Sequence, residues 1–407
     1  MKNFPRSEDS LSISRDLMQD FNTRAVISLL YNGEPMPRTK IASKTGLAPA
    51  TISNITSRLM SSGLIVEAGV GKSTGGRKPT LLDINEKFGY VMAIKIEARR
   101  VITGLYDLRT NKIAGGVTQL EPEPEVETVL EVIKSDYETY LKKGDILGVG
   151  VGVSGLISDE GAIIYTPILE WSNVSLADDL LSGKRVPVVV DNDVNALTLA
   201  EGWLGAGRSY DDFLCITVGE GIGAGLMIDG ALHRGALGGA GEIGHITLDP
   251  NGPVCRCGEN GCLEALASDY FLRNEIEKLN LKPATIDHLA DLAKKNEASA
   301  TEVFRKMGRN LGLGIKNLVN TLNPEAVLLG GERLSEANYF MPEMKQEVLN
   351  HSFPEEAREL KIVRTELGKE GWLIGAALLS IRNFLNLPLH HKVKNPAPRQ
   401  GIGKKTT

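Results

Sequence analysis

Aromatic side chains are scarce in this chain, 5% of 407 residues, and cysteine and histidine are scarcer, at four and six. All four cysteines lie beyond residue 214, and three fall between positions 255 and 262. That spacing is a poor disulfide framework for a protein of this size. It excludes a disulfide-dense secreted scaffold, and the expected compartment is the reducing cytoplasm. No run of 18 apolar residues occurs, and the N-terminal MKNFPRSEDS lacks the apolar core of a secretory signal. No membrane role is expected. A uniformly basic surface is absent too, since the net charge is −5.

The length implies two or three domains. Glycine is plentiful at 44 residues, which implies many tight turns and close backbone approaches. The charge is unevenly divided. Residues 1–80 hold 11 Lys and Arg against 6 Asp and Glu, and the remainder holds 35 against 45. A small basic head on an acidic body fits a nucleic-acid-binding module joined to a domain that avoids phosphates.

The pattern of the head is specific. A helix is expected from about Arg15 to Tyr31, stopped by Asn32-Gly33, and a second from Arg38 to about Thr45. Gly46 supplies a turn. Pro49 stands at the first position of a third helix that Gly63 ends. Two apolar runs around a Gly-rich basic loop then read as a wing from Leu64 to Ile84. This is a winged helix-turn-helix. In its third helix Ile52, Ile55 and Leu59 share the core face, which leaves Ala50, Thr51, Asn54 and Arg58 outward to meet base edges in a major groove. Arg38, Lys40 and Lys44 are cast as phosphate contacts. Lys72, Arg77 and Lys78 surround the wing tip and would follow the backbone or enter the minor groove. A protein–protein adaptor is the rival reading. Against it, residues 36–80 carry seven basic groups and one acid.

Beyond Asn85 strands and helices alternate in an α/β pattern, so function is expected at strand ends. Two adjacent strands are expected in YVMAIKIEARRVITGLYDL, a third in KIAGGVTQLE and a helix from about Val126 to Leu141. A buried strand follows in ILGVGVGVSGLI. VPVVVDNDVNALTLAEGWLGAG reads as a strand, a polar turn and a helix. Helices dominate from about Leu263 to Leu322, GWLIGAALLSI is a late apolar helix, and a loose basic tail follows.

The segment GEIGHITLDPNGPVCRCGENGCLE brings His245, Cys255, Cys257 and Cys262 together. One imidazole and three thiolates make a tetrahedral zinc set with no position left for water, so one structural Zn²⁺ per chain is expected. Cys215, alone in an apolar run, reads as core. The ion would pin a loop that also carries Glu242 and Glu264, fixing both carboxylates to grip polyol hydroxyls. Asp191, Asn192, Asp193 and Asn195 follow an apolar strand. A turn with Asx caps and a ligand site at a strand end both explain them, and the neighbouring loop favours the site.

Residues 85 to about 385 resemble the ROK family of bacterial sugar kinases and sugar-responsive repressors, on the GEIGH…CxCGxxGCxE string above all. The head, STGGRKP and the length resemble the repressor branch, with its xylose, glucose and N-acetylglucosamine regulators. The resemblance implies a two-lobed actin-like or hexokinase-like ATPase fold behind the winged helix-turn-helix. It divides the chain into a head (1–84), a first lobe (85–195), a second lobe (196–386) whose last helix packs back on the first, and a flexible tail (387–407). It implies a sugar site of Ser154, Gly155, Asn192, Asp193, Glu242, His245 and Glu264, with His245 serving sugar and zinc through its two ring nitrogens.

In kinases of the family Asp193 would be the catalytic base. Their phosphate loop resembles Asp-x-Gly-Gly-Thr, but here Lys95, Glu97, Ala98 and Arg99 stand in its place. Glu220 occupies the Thr position of a second, Gly-Thr-Gly-like segment. Backbone amides must approach phosphates closely, and a carboxylate repels them. The expectation is therefore no enzyme, with Asp193 a vestigial base. The function expected is a homodimeric, possibly tetrameric, repressor released from double-stranded operator DNA by a sugar effector. A sugar kinase with an accessory DNA-binding head is the alternative.

Overall fold

The computed structural model describes residues 21–71, 78–180, 186–351 and 360–387. The expected helix start at Arg15, the wing-tip residues Lys72 and Arg77, and the tail beyond residue 387 lie outside them.

The head opens with α1, helical through residues 21–32. A two-residue strand β1 (Met36–Pro37) leads into α2 (Arg38–Thr45) and α3 (Pro49–Ser61), and β2 (Ile65–Val70) and β3 (Thr80–Ile84) form the wing. Gly46 makes the α2–α3 turn at φ 72°, the left-handed region glycine enters without strain. Pro49 starts α3, where its missing N–H costs nothing. Ile52, Ile55 and Leu59 are buried, as their spacing predicts. The pairing of β1 with β3 was not anticipated; two residues are too few to show a period.

Two lobes follow. In the first, β4 (Tyr90–Glu97), β5 (Arg100–Asp107) and β6 (Lys112–Gln119) form an antiparallel meander. After α4 (Val126–Leu141), β7 (Ile146–Val153) joins β4 in parallel. Short strands β8 (Leu156–Ile157), β9 (Ile163–Thr166) and β10 (Trp171–Val174) make a separate sheet, ahead of α5 (Leu176–Leu180) and β11 (Val188–Asn192). The strand order is β11-β7-β4-β5-β6. Helix α6 (Asp193–Leu204) leads to the second lobe.

There β12 (Phe213–Val218), β13 (Ile222–Ile228) and β14 (Ala231–His233) repeat the meander. Helices α7 (Leu263–Ala267), α8 (Asp269–Lys278), α9 (Ile286–Lys294) and α10 (Ala298–Leu322) precede β15 (Ala326–Gly330). Then come α11 (Ala337–His351), β16 (Lys361–Arg364) and α12 (Glu370–Phe384). The order β14-β13-β12-β15-β16 mirrors the first sheet, with β15 and β16 again parallel additions. The two-lobed architecture implied by the family resemblance is thus present as a duplicated topology.

Burial explains the patterns. Along β4, Val91 and Ala93 face one core with α12, while Met92, Ile94 and Ile96 face another with α4. Both faces are covered, so the strand reads as an unbroken apolar run. The core on the α12 side also takes in Val26, Leu30, Ile41, Ile52 and Leu82 of the head. Head and first lobe therefore share one apolar interior.

Candidate functional site

The ends of β7 and β11, the start of α6 and the loop after β14 come together. Gly155 follows β7 at φ 125°, and a Cβ there would stand 2.4 Å from the Tyr165 carbonyl oxygen. Asn192 caps α6: its Oδ1 accepts from the Val194 and Asn195 amides at 2.8 and 3.3 Å. Its Nδ2 donates to the Gly155 carbonyl at 2.9 Å. The Asx-cap reading of this polar run is realised, and the cap fixes Asn192 beside Gly155. Ser154 is half-buried next to them.

Asp191 is buried. Its Oδ1 accepts from the Asn192 amide at 2.7 Å and from Asn195 Nδ2 at 3.1 Å. Arg234, from the loop after β14, lies 3.3 Å away and ties the second lobe to the first. Burial pushes the Asp191 carboxyl above its ordinary range, and Arg234 only partly offsets this. Asp193 points elsewhere, with Lys95 Nζ 3.8 Å from its Oδ2. Burial raises this carboxyl as well, against the pull of Lys95. Lys95 also reaches Glu97 at 3.1 Å and lies 3.6 Å over the Trp372 ring.

Opposite, Glu242 and His245 are exposed on a short helical turn, and Glu264 begins α7. Glu264 Oε2 accepts from the Ile222 amide at 3.1 Å. Arg256 Nε, inside the cysteine loop, approaches its other oxygen at 3.6 Å.

The four expected metal ligands do converge. His245, Cys255, Cys257 and Cys262 place one ligand atom each within 4.8 Å of all the others. The Cys257 and Cys262 sulfurs are 3.7 Å apart, as are Cys255 Sγ and His245 Nδ1. A tetrahedral ion with Zn–S bonds of about 2.3 Å separates its sulfurs by roughly 3.8 Å, so the donor set fits. Burial and then the adjacent thiols push the Cys262 thiol up to about 12, a repulsion that a dication would relieve. Nδ1 of His245 faces the thiols and leaves Nε2 for another partner.

On the expected DNA face, Ala50, Asn54, Arg58, Lys40, Lys44 and Lys78 are exposed and Thr51 is half-buried. Arg38 is placed differently from a free phosphate contact. Its Nε donates to Thr56 Oγ1 at 2.9 Å and one terminal nitrogen to Met60 Sδ at 3.2 Å, so it braces α2 on α3.

A model described as "ROK family" matches residues 92–383. A xylose repressor of Caldicellulosiruptor bescii is 32% identical over 391 residues, covering 91% of this chain and 98% of its own. A solved ROK family transcriptional regulator, described as a homolog of the E. coli MLC protein, superposes with a TM-score of 0.81 at 26% identity, covering 91% of this chain and 98% of its own. A ROK family glucokinase from Streptomyces griseus, solved with glucose and AMPPNP, has a TM-score of 0.63 at 27% identity. It covers 72% of this chain and 99% of its own.

The expected absence of catalysis does not stand. Solved sugar kinases share the architecture of the whole body. The electrostatic obstacles read from the sequence are also neutralised in place. Glu220 is a paired charge rather than a free repulsive one. Arg273 holds it in a two-point ion pair, Arg256 lies 3.5 Å away, and its carboxyl stays below the ordinary range. For Glu97, burial opposes ionisation but is outweighed by bonds to Arg100 and Lys95. Arg273 of α8 and Arg256 of the cysteine loop are distant in sequence from Glu220 and were missed, whereas Lys95 and Arg100 lie within three residues of Glu97. The one available signal was Lys95, a charge within an apolar strand. With its two matching sheets, its His–Cys cluster and a family model matched over residues 92–383, this chain belongs to the ROK family and is kin to its xylose-repressor branch.

Proposed function

We propose that the chain is a transcriptional repressor that binds operator DNA as a homodimer and releases it when a sugar is bound. The observation that carries this reading is the α3 face. Buried Ile52, Ile55 and Leu59 turn Ala50, Asn54 and Arg58 to solvent, on a head seated in one core with a sugar-kinase-like body. In this reading residues 1–84 are the DNA-binding unit, 85–195 and 196–386 the lobes, and 387–407 a tail. The compartment is the cytoplasm.

Ala50, Thr51, Asn54 and Arg58 read bases, while Lys40, Lys44, Lys72, Arg77 and Lys78 meet phosphates. Asn192, Asp193, Glu242 and Glu264 take sugar hydroxyls beside Ser154 and Gly155. His245 adds Nε2 while Nδ1 joins the three thiolates on a structural zinc, whose chemistry is to hold this loop rigid. Sugar binding favours one lobe angle, which sets the spacing of paired heads on a palindromic site. The sign of the effect follows from which state binds sugar more tightly.

The test is a gel shift on the DNA upstream of the chain's own gene, with a panel of free sugars and sugar phosphates. Specific retention at physiological salt, relieved by a sugar, is expected. Sequence-blind retention that salt abolishes would sink the reading. A second reading, phosphorylation of the bound sugar with Asp193 accepting the hydroxyl proton, draws on the glucokinase likeness. A coupled ATP assay on the same sugar panel measures it directly.

A further inference from the structure

One end of α6 carries two residues of the proposed sugar site and the other lies under the head. At the first end stand Asn192, the cap, and Asp193. On its last turn Trp203 is half-buried and stacks on Tyr31 of α1, with ring centroids 5.6 Å apart and planes at 27°.

Helix α12 runs beside α6 in the same direction. Lys95 sets the sugar-site end, 3.8 Å from Asp193 and 3.6 Å over Trp372. Arg382 sets the far end, its guanidinium 4.7 Å over the Trp203 ring. Asp193 to Trp203 and Trp372 to Arg382 are equal steps of about 15 Å along a helix axis. Between them the backbones touch, because a Cβ at Gly375 would stand 2.0 Å from the Ala196 carbonyl oxygen. Buried Glu201 fastens the last turn of α6, accepting from the Ala206, Glu366 and Leu367 amides at 2.9 to 3.1 Å.

The head is held where the pair ends. Arg109, at the β5–β6 turn, donates to the Tyr31 carbonyl at 2.6 Å and to the Leu30 carbonyl at 3.2 Å. These oxygens end α1 and have no partner within the helix. The same guanidinium pairs with Asp83 on wing strand β3. One body side chain thus grips both the first helix and the wing.

We propose that α6 and α12 form a strut that carries the state of the sugar site to the DNA-binding head, with Trp203 as the positioning residue at the head end. The strut rests on the functional reading above and names the contact through which it operates. Helix α6 packs on α12 and β7 on one side and on β12 and β13 on the other. It therefore lies between the lobes, and a change of lobe angle shifts it against one of them. Trp203 moves with it, and Tyr31 and the head follow.

The full-length chain tests this. Calorimetry with D-xylose and D-glucose gives sugar affinity, and operator affinity is measured with and without the bound sugar. Wild type should show a sugar-dependent ratio of operator affinities of about tenfold or more. Trp203→Leu should bring that ratio towards one while sugar affinity and the thermal midpoint stay near wild type. Trp203→Phe, which keeps a ring against Tyr31, should restore the ratio. A Trp203→Leu chain that keeps the wild-type ratio overturns the strut alone. A wild type that binds operator with no response to either sugar overturns the functional reading together with the strut. If Trp203→Leu loses sugar affinity as well, and Trp203→Phe does not recover it, Trp203 is merely structural and the strut falls.

Discussion

At Asp193 burial and Lys95 act in opposite directions, and burial wins. A carboxyl raised above its unfolded value favours the fold while protonated. That contribution is present below the ordinary carboxylate range and is lost as pH rises through the raised value. Asp193→Asn removes the titration, and Lys95 keeps Glu97 at 3.1 Å as its partner. The variant is expected to be more stable than wild type at neutral pH, with a higher Tm. The gain should vanish in acid, below the ordinary carboxylate range. Melting curves across pH check this. Equal stability at neutral pH would mean that Lys95 fully offsets burial.

The cysteine loop makes its prediction as an element. Cys257 is exposed, so Cys257→Ser removes a ligand with little loss of packing. Purified wild type should carry one zinc per chain by elemental analysis. The variant should carry far less and bind sugar about tenfold more weakly. Full metal content in the variant would remove Cys257 from the ligand set. This loop was legible because its four ligands lie within eighteen consecutive residues, and α3 and α4 were legible because their apolar spacing is helical. Strands β8, β9 and β10 were not, for two to four residues carry no period. Helix α11 and strand β16 also went unread. The least legible features were the pairings Arg234–Asp191, Arg273–Glu220 and Lys95–Asp193. Each joins distant segments that only the closed sheets bring together. Glu220 shows the result: its sequence position implied repulsion, and its actual neighbours are two guanidinium groups.

At the scale of the whole molecule, the proposed reading has DNA met by the basic head and not by the acidic body. Lys40 and Lys44 are exposed on α2, away from the core. Replacing either with Ala should weaken operator binding evenly across sequences. It should also reduce the slope of log affinity against log salt by about one per protomer. Asn54→Ala should instead weaken binding at one base position and leave that slope unchanged. Titrations at several salt concentrations separate the two behaviours, and a slope unchanged in both lysine variants would move the phosphate contacts elsewhere on the head.

The glycine contacts of the paired helices have a consequence for how such a chain can diverge. A side chain at Gly375 would run into Ala196, and one at Gly150 would stand 1.8 Å from the Ala376 carbonyl oxygen. At these two glycines the pair admits no side chain without a shift of backbone. If the pair works as the proposed strut, a lineage that changes its ligand or its recognition sequence must keep both glycines, and so inherits the middle of the shaft unchanged.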